Sequence, residues 1–258
     1  MSLLALVATA SCLQISGVQG FEKGACEGPC DAGPEAEVAS KCPSGMVFVP
    51  GGSYSPRTVG GLVRVDDLCV DATEVTVSAF AACVLAGSCT PLSSKVFCNY
   101  GVGGRDSDPI NCVDVGQAKT FCATLGARLP TEDEWEWVAR ADKSGYDYPW
   151  GNNPPSAADA PERLCWQGKT RHDDDTAWSA RPTGTCPVKS FPAGAHDGIY
   201  DMVGNVWEWT STAEGSSFVF RGGSAFDTPD AASMTVKARR TAASAGYSGV
   251  GFRCFRAP

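Results

Sequence analysis

Asp201 and Glu208 stand seven residues apart in GIYDMVGNVWEWT (198–210) and offer hard carboxylate oxygens of the kind calcium prefers. Gly204 between them lets the backbone curl, which can turn the carbonyls of Gly204 and Val206 toward the same point. The four residues together make a calcium-like set. The same residues also suit a tight loop in which both carboxylates accept backbone N–H bonds. Asp173, Asp174 and Asp175 form a second acidic run, whose ordinary reading is a solvated turn.

Other chemistries find less support. His172 and His196 are the only histidines, so a site of two histidines and one carboxylate for iron rests on two loop residues. No GxSxG turn is present to raise a serine nucleophile. Seven tryptophans (Trp135, Trp137, Trp150, Trp166, Trp178, Trp207 and Trp209) can line a ligand groove or fill a core, and in each WEW pair one ring is expected inward and the other outward.

Three helices must position these groups. Thr76 caps a segment carrying Phe80, Cys83 and Val84 at helical spacing, with Gly87 at its exit. A second runs from about Gln117 through Phe121, Cys122 and Leu125 to Gly126. In the third, Thr131 and Glu134 form a capping box ahead of Trp135, Val138 and Ala139. MVFVPGG, LVRVDDLCV, FVFRGG and GFRCF read as short strands between turns.

The net charge of -8 repels phosphate backbones and anionic lipid, which argues against a nucleic-acid partner. Thirteen cysteines without paired CxxC modules indicate disulfides and an oxidising compartment. Spacing favours Cys83 with Cys89, Cys98 with Cys112, and Cys165 with Cys186, among thousands of connectivities that twelve cysteines permit. Cys12 is set apart because LLALVATA (3–10) ends at Ser11-Cys12 like a bacterial lipoprotein signal; a cleaved signal with Cys12 merely nearby is the alternative. Residues 1–12 then form a signal or lipoprotein signal. Residues 13–44 form a tether or small disulfide-tied appendage with Cys26, Cys30 and Cys42, and 45–258 one folded domain. A lipid on Cys12 would be the only membrane attachment.

Taken in order, MVFVPGG (46–52), DATEVTVSAF (71–80), RLPTEDEWEWVAR (128–140), YPWGN (148–152), the proline-valine strand PVKSFPAG (187–194), GIYDMVGNVWEWT, RGGS (221–224) and GFRC (251–254) resemble the formylglycine-generating enzyme, or sulfatase-modifying factor, family. The resemblance covers residues 45–258. It implies an α+β fold, coil-rich, stapled by disulfides and related to C-type lectin domains. It also implies a structural calcium at Asp201, Gly204, Val206 and Glu208, with Asp201 replacing the commoner asparagine. A second family calcium site is put in doubt by Leu164, which replaces its asparagine ligand.

The departure lies after RGGS. Active members carry two cysteines there that bind copper(I), but Asp227 stands at the first position and no cysteine occurs between Ser224 and Cys254. No copper is expected, and activity is left open. Cys254 reads as a disulfide partner rather than a nucleophile. Family branches that form sulfoxides need three histidines, one more than this chain has. Trp207, Ser224 and Asp227 match the family's cleft. The expected function is an exported, secreted or envelope-bound domain that binds a peptide, protein or glycan there. The alternative is an oxidoreductase acting on protein or small-molecule thiols through an unrecognised metal site.

Overall fold

The capping chemistry of the third helix is realised in the computed structural model, which describes residues 41–56, 61–93, 96–140, 145–155, 163–166, 184–227 and 234–258. The leader, the tether before residue 41, Cys12, Cys26, Cys30, His172, the three-aspartate run and Trp178 lie outside the described residues.

Among the described residues, three sheets and three α-helices organise the domain. β1 (Met46–Val49), β4 (Leu68–Asp71) and β9 (Phe255–Arg256) form one antiparallel sheet in the order β1-β4-β9. β2 (Gly52–Tyr54) and β3 (Val63–Val65) form a hairpin pair. The run LVRVDDLCV therefore divides at Asp66 and Asp67, and Asp67 Oδ1 accepts the Gly51 amide at 2.8 Å. β5 (Trp207–Glu214), β6 (Ser217–Arg221), β7 (Arg239–Ala243) and β8 (Val250–Gly251) make a four-stranded sheet ordered β7-β6-β5-β8, with β5 and β8 parallel. GFRCF thus splits between two sheets, and Arg253 lies in the crossing.

The helices are α1 (Val77–Leu85), α2 (Val115–Thr124) and α3 (Glu132–Arg140). Thr76 caps α1 by accepting the Ala79 amide at 3.2 Å, and Gly87 leaves it at φ 74°. α2 starts two residues earlier than its apolar spacing predicts, because Asp114 caps it and Gln117 closes a capping box at 3.0 Å. In α3 the Glu134 amide donates to Thr131 Oγ1 at 3.2 Å while Glu134 Oε2 accepts the Thr131 amide at 2.8 Å.

One core cluster packs α1 and α2 against Trp207, Trp209, Phe220 and Phe252; a second gathers round α3 with Trp135, Trp137, Met202 and Phe255. Both rings of each WEW pair are buried, contrary to the one-in, one-out expectation. α3 is enclosed on two sides: Trp135 faces the four-stranded sheet, while Trp137 lies on β2, where a side chain at Gly52 would stand 2.4 Å from its ring. Among the described residues five disulfides staple the domain: 42–69, 83–89, 98–112, 122–254 and 165–186. Cys42 is therefore tied to β4 and not to the appendage cysteines. PVKSFPAG forms no strand: Lys189 sits at φ 65°, and residues Pro192–Gly194 make a 3-10 turn.

Candidate functional site

The loop entering β5 curls as its sequence demands. Asp201, Gly204 and Asn205 all adopt left-handed backbone, at φ 57°, 88° and 56°. A Cβ at Gly204 would lie 2.9 Å from the Cys165 carbonyl oxygen and 3.1 Å from Leu164, so only glycine fits this turn. Asn205 is buried and binds outward to the chain around Cys186, accepting its amide at 3.0 Å and donating to its carbonyl at 3.3 Å.

Asp201 is buried; its Oδ2 accepts the Lys189 amide at 2.8 Å. Glu208, seven residues later on β5, is held differently. Arg253 donates to both of its oxygens, Nε at 2.9 Å to each and Nη2 at 2.7 Å to Oε1, and Trp135 Nε1 donates to Oε2 at 2.7 Å. Arg253 completes its set on the carbonyls of Asp71 and Tyr200 at 3.2 and 2.8 Å. Three separated motifs thus meet at one carboxylate.

A third acid, missed by the sequence reading, joins them. Glu74 is 1% exposed, its Oε2 lies 3.5 Å from the Asn205 side-chain nitrogen, and its Oε1 is buried without a hydrogen-bond partner. Burial, then the charges of Asp201 and Glu208, push its pKa well up. Burial likewise raises Asp201 to about 6 and the neighbouring Asp71 to about 6. Glu74, Asp201 and Glu208 set three carboxylates against the single guanidinium of Arg253. Glu74 keeps an orphaned oxygen among all-oxygen donors, the chemistry a hard divalent cation would satisfy, while both Glu208 oxygens are already taken by Arg253 and Trp135. Among the described residues no three His, Cys, Asp or Glu side chains group as metal ligands, and the calcium set requires only two side chains beside its carbonyls.

The other expected residues also come together. Asp227 Oδ2 accepts Trp207 Nε1 at 2.6 Å, Ser224 Oγ at 2.7 Å and the Ser224 amide at 3.1 Å. Its Oδ1 pairs with Arg240 at 3.0 Å, and that guanidinium lies 4.8 Å over the Trp207 ring. Trp207 and Ser224 are buried beneath this arrangement. Arg240 was not legible in the sequence, since only the register of β7 on β6 brings it here. Every cysteine among the described residues is in a disulfide, including Cys254 with Cys122, so none of these offers a thiolate. His196 is described, with Asp197 at 3.8 Å.

The model of the sulfatase-modifying factor enzyme 1-like domain matches residues 33–258. The chain belongs to this family. Its sulfatase-modifying factor domain is 39% identical over 164 residues to the inactive C-alpha-formylglycine-generating enzyme 2 of Bos taurus, covering 60% of this chain and 52% of that one. It is 34% identical over 159 residues to the formylglycine-generating enzyme of Mycobacterium tuberculosis, covering 55% and 51%. The matches span about half the length of these curated relatives. The solved structure of PvdO from Pseudomonas aeruginosa shares the fold, with a TM-score of 0.62 at 23% identity over 83% of this chain and 94% of that one.

Proposed function

We propose that this chain is an exported, non-oxidising member of the sulfatase-modifying factor family that binds a peptide, protein or glycan at the surface around Ser224. The observation that carries the reading is Asp227. By the family resemblance its carboxylate stands where a copper-binding thiolate is expected; it is saturated by Trp207, Ser224 and Arg240, and a hard carboxylate is a poor ligand for copper(I). Likeness to a relative called inactive agrees with this. Five disulfides are consistent with an oxidising compartment, reached through the leader, with a lipid on Cys12 as the anchor in the attached form.

Calcium would be held by Asp201, Glu208 and the carbonyls of Gly204 and Val206, with Glu208 sharing its oxygens with Arg253, in a fold akin to C-type lectin domains. When bound, the ion supplies fixed positive charge. Asp201 and Glu74 then remain ionised, and the curled entry to β5 keeps Trp207 beneath Arg240. Metal analysis of the native exported protein, with oxygen uptake on a cysteine-containing peptide, tests the reading. Calcium without redox metal or uptake is expected. Stoichiometric redox metal with turnover would establish the oxidoreductase alternative instead.

A further inference from the structure

Beside Asp227 the chain holds an aromatic ring outward at a backbone conformation that aromatic residues rarely adopt. Phe97 sits at φ 66° and remains 50% exposed, with Val96 before it 78% exposed. The conformation is over-determined from within. Cys98 is bonded to Cys112, itself at φ 62°, and buried Asn111 donates to the Phe97 carbonyl at 2.8 Å and to the Ser248 carbonyl at 2.6 Å. Burial of the ring does not account for this clamp. Such imposed strain concentrates where a side chain must be presented to a ligand.

The ring meets Phe226 edge-on, with centroids 6.0 Å apart at 71°. Phe226 is contiguous with the Asp227 cluster: its amide donates to Ser224 Oγ at 3.3 Å, and a Cβ at Gly249 would touch both Ser224 and Phe226, at 3.1 and 3.5 Å. The Gly249 carbonyl in turn accepts the Trp207 amide at 2.8 Å. Arg240, 53% exposed, covers Trp207 on the same cluster, and its ion pair with Asp227 engages only part of its five N–H donors.

We propose that Phe97, Phe226 and Arg240 form a subsite for a peptide segment carrying an aromatic side chain next to a carboxylate. This rests on the reading that the Ser224 surface binds a ligand. The complementarity selects the class. Asp227 and Asn111 spend their polar groups internally, which leaves few acceptors for sugar hydroxyls among these described residues, while the apolar rings and the exposed cation suit an aromatic residue beside Asp or Glu.

The test pans phage-displayed random heptapeptides on the full chain, with a glycan array in parallel. Enrichment of Phe, Tyr or Trp adjacent to Asp or Glu is expected. Affinity of the selected peptide, read by calorimetry, should fall at least about tenfold in Phe97→Gly and in Arg240→Gln. Glycine adopts this φ freely, so Phe97→Gly should melt no lower than the parent, which separates ligand contact from folding. Enriched peptides without that pair, affinity indifferent to both variants, or mere self-association of the chain would overturn the subsite. Glycan capture without peptide capture overturns it while leaving a binding domain in place; capture of neither removes both readings.

Discussion

Arg253 closes a two-point guanidinium pair on Glu208, with both side chains buried at the crossing between the four-stranded and three-stranded sheets. Trp135 from α3 supplies a third donor to the same carboxylate. Removing one partner of such a pair leaves an uncompensated buried charge, which costs about 3–5 kcal/mol. Arg253→Leu should lose stability in that range, or fail to fold. Trp135→Phe, which keeps most of the ring volume and deletes one hydrogen bond, should lose about 1–3 kcal/mol. Urea denaturation of both variants checks the order; equal losses would contradict it.

The carboxylate surplus beside Arg253 predicts opposite pH responses with and without calcium. Asp201 and Asp71 titrate near 6 in the fold because burial disfavours their charge, against an ordinary 3.8. A raised folded pKa means the folded state binds the proton more tightly. The associated stability is complete below about 3.8 and is lost as pH rises through about 6, on the order of 1–3 kcal/mol for each group. Metal-free protein should therefore melt higher at pH 5 than at pH 7.5. Calcium should add about 2.7 kcal/mol of stability at pH 7.5 at a hundredfold excess over its Kd, raising the melting temperature, and lose that effect toward pH 5. Glu74→Gln should raise metal-free stability and weaken the calcium response. A calcium-independent melting curve would remove the ion from this site.

Local chemistry was legible in the sequence and long-range chemistry was not. The Thr131–Glu134 box involves neighbours whose geometry the helix dictates, and the three short-loop disulfides follow from spacing that the turns must close. The role of Glu74 was hidden because its neighbours Asp201 and Asn205 lie far along the chain, and an acid before a helix ordinarily faces solvent. Arg240 was hidden for a related reason. Its place over Trp207 depends on the β6–β7 register, which pairs Arg240 with Phe220. The strand expected at PVKSFPAG gave way to two prolines and a left-handed Lys189, whose amide is needed by Asp201.

Asp227 gathers Trp207, Ser224 and Arg240 on one carboxylate. In Asp227→Ala, Trp207 Nε1 and Ser224 Oγ lose their acceptor and Arg240 loses its counter-ion, so a loss of about 1–3 kcal/mol is expected. Asp227→Asn should recover part of that loss, because its oxygen still accepts. Asp227→Cys places one soft ligand there, yet no second free thiol exists among the described residues. That variant should take up no stoichiometric copper(I) and convert no cysteine peptide to an aldehyde, as read by metal analysis and mass spectrometry.

The disulfides should differ in worth according to the chain they constrain. Cys122–Cys254 joins α2 to the segment between β8 and β9 across 132 residues, whereas Cys83–Cys89 spans six at the end of α1. Loop-closure entropy of the unfolded chain then assigns about 5 kcal/mol to the first and about 2 kcal/mol to the second. Cys254 is also fully buried, one residue from Arg253, and its amide donates to Asp71 at 2.8 Å. Replacing Cys122 and Cys254 together by alanine should therefore disturb the Glu208 pair as well as release the loop, and lower stability more than the Cys83 and Cys89 double replacement. Denaturation midpoints measured with the other bonds intact decide this. Equal losses would mean that residual structure in the unfolded chain already keeps α2 near the C-terminal strands.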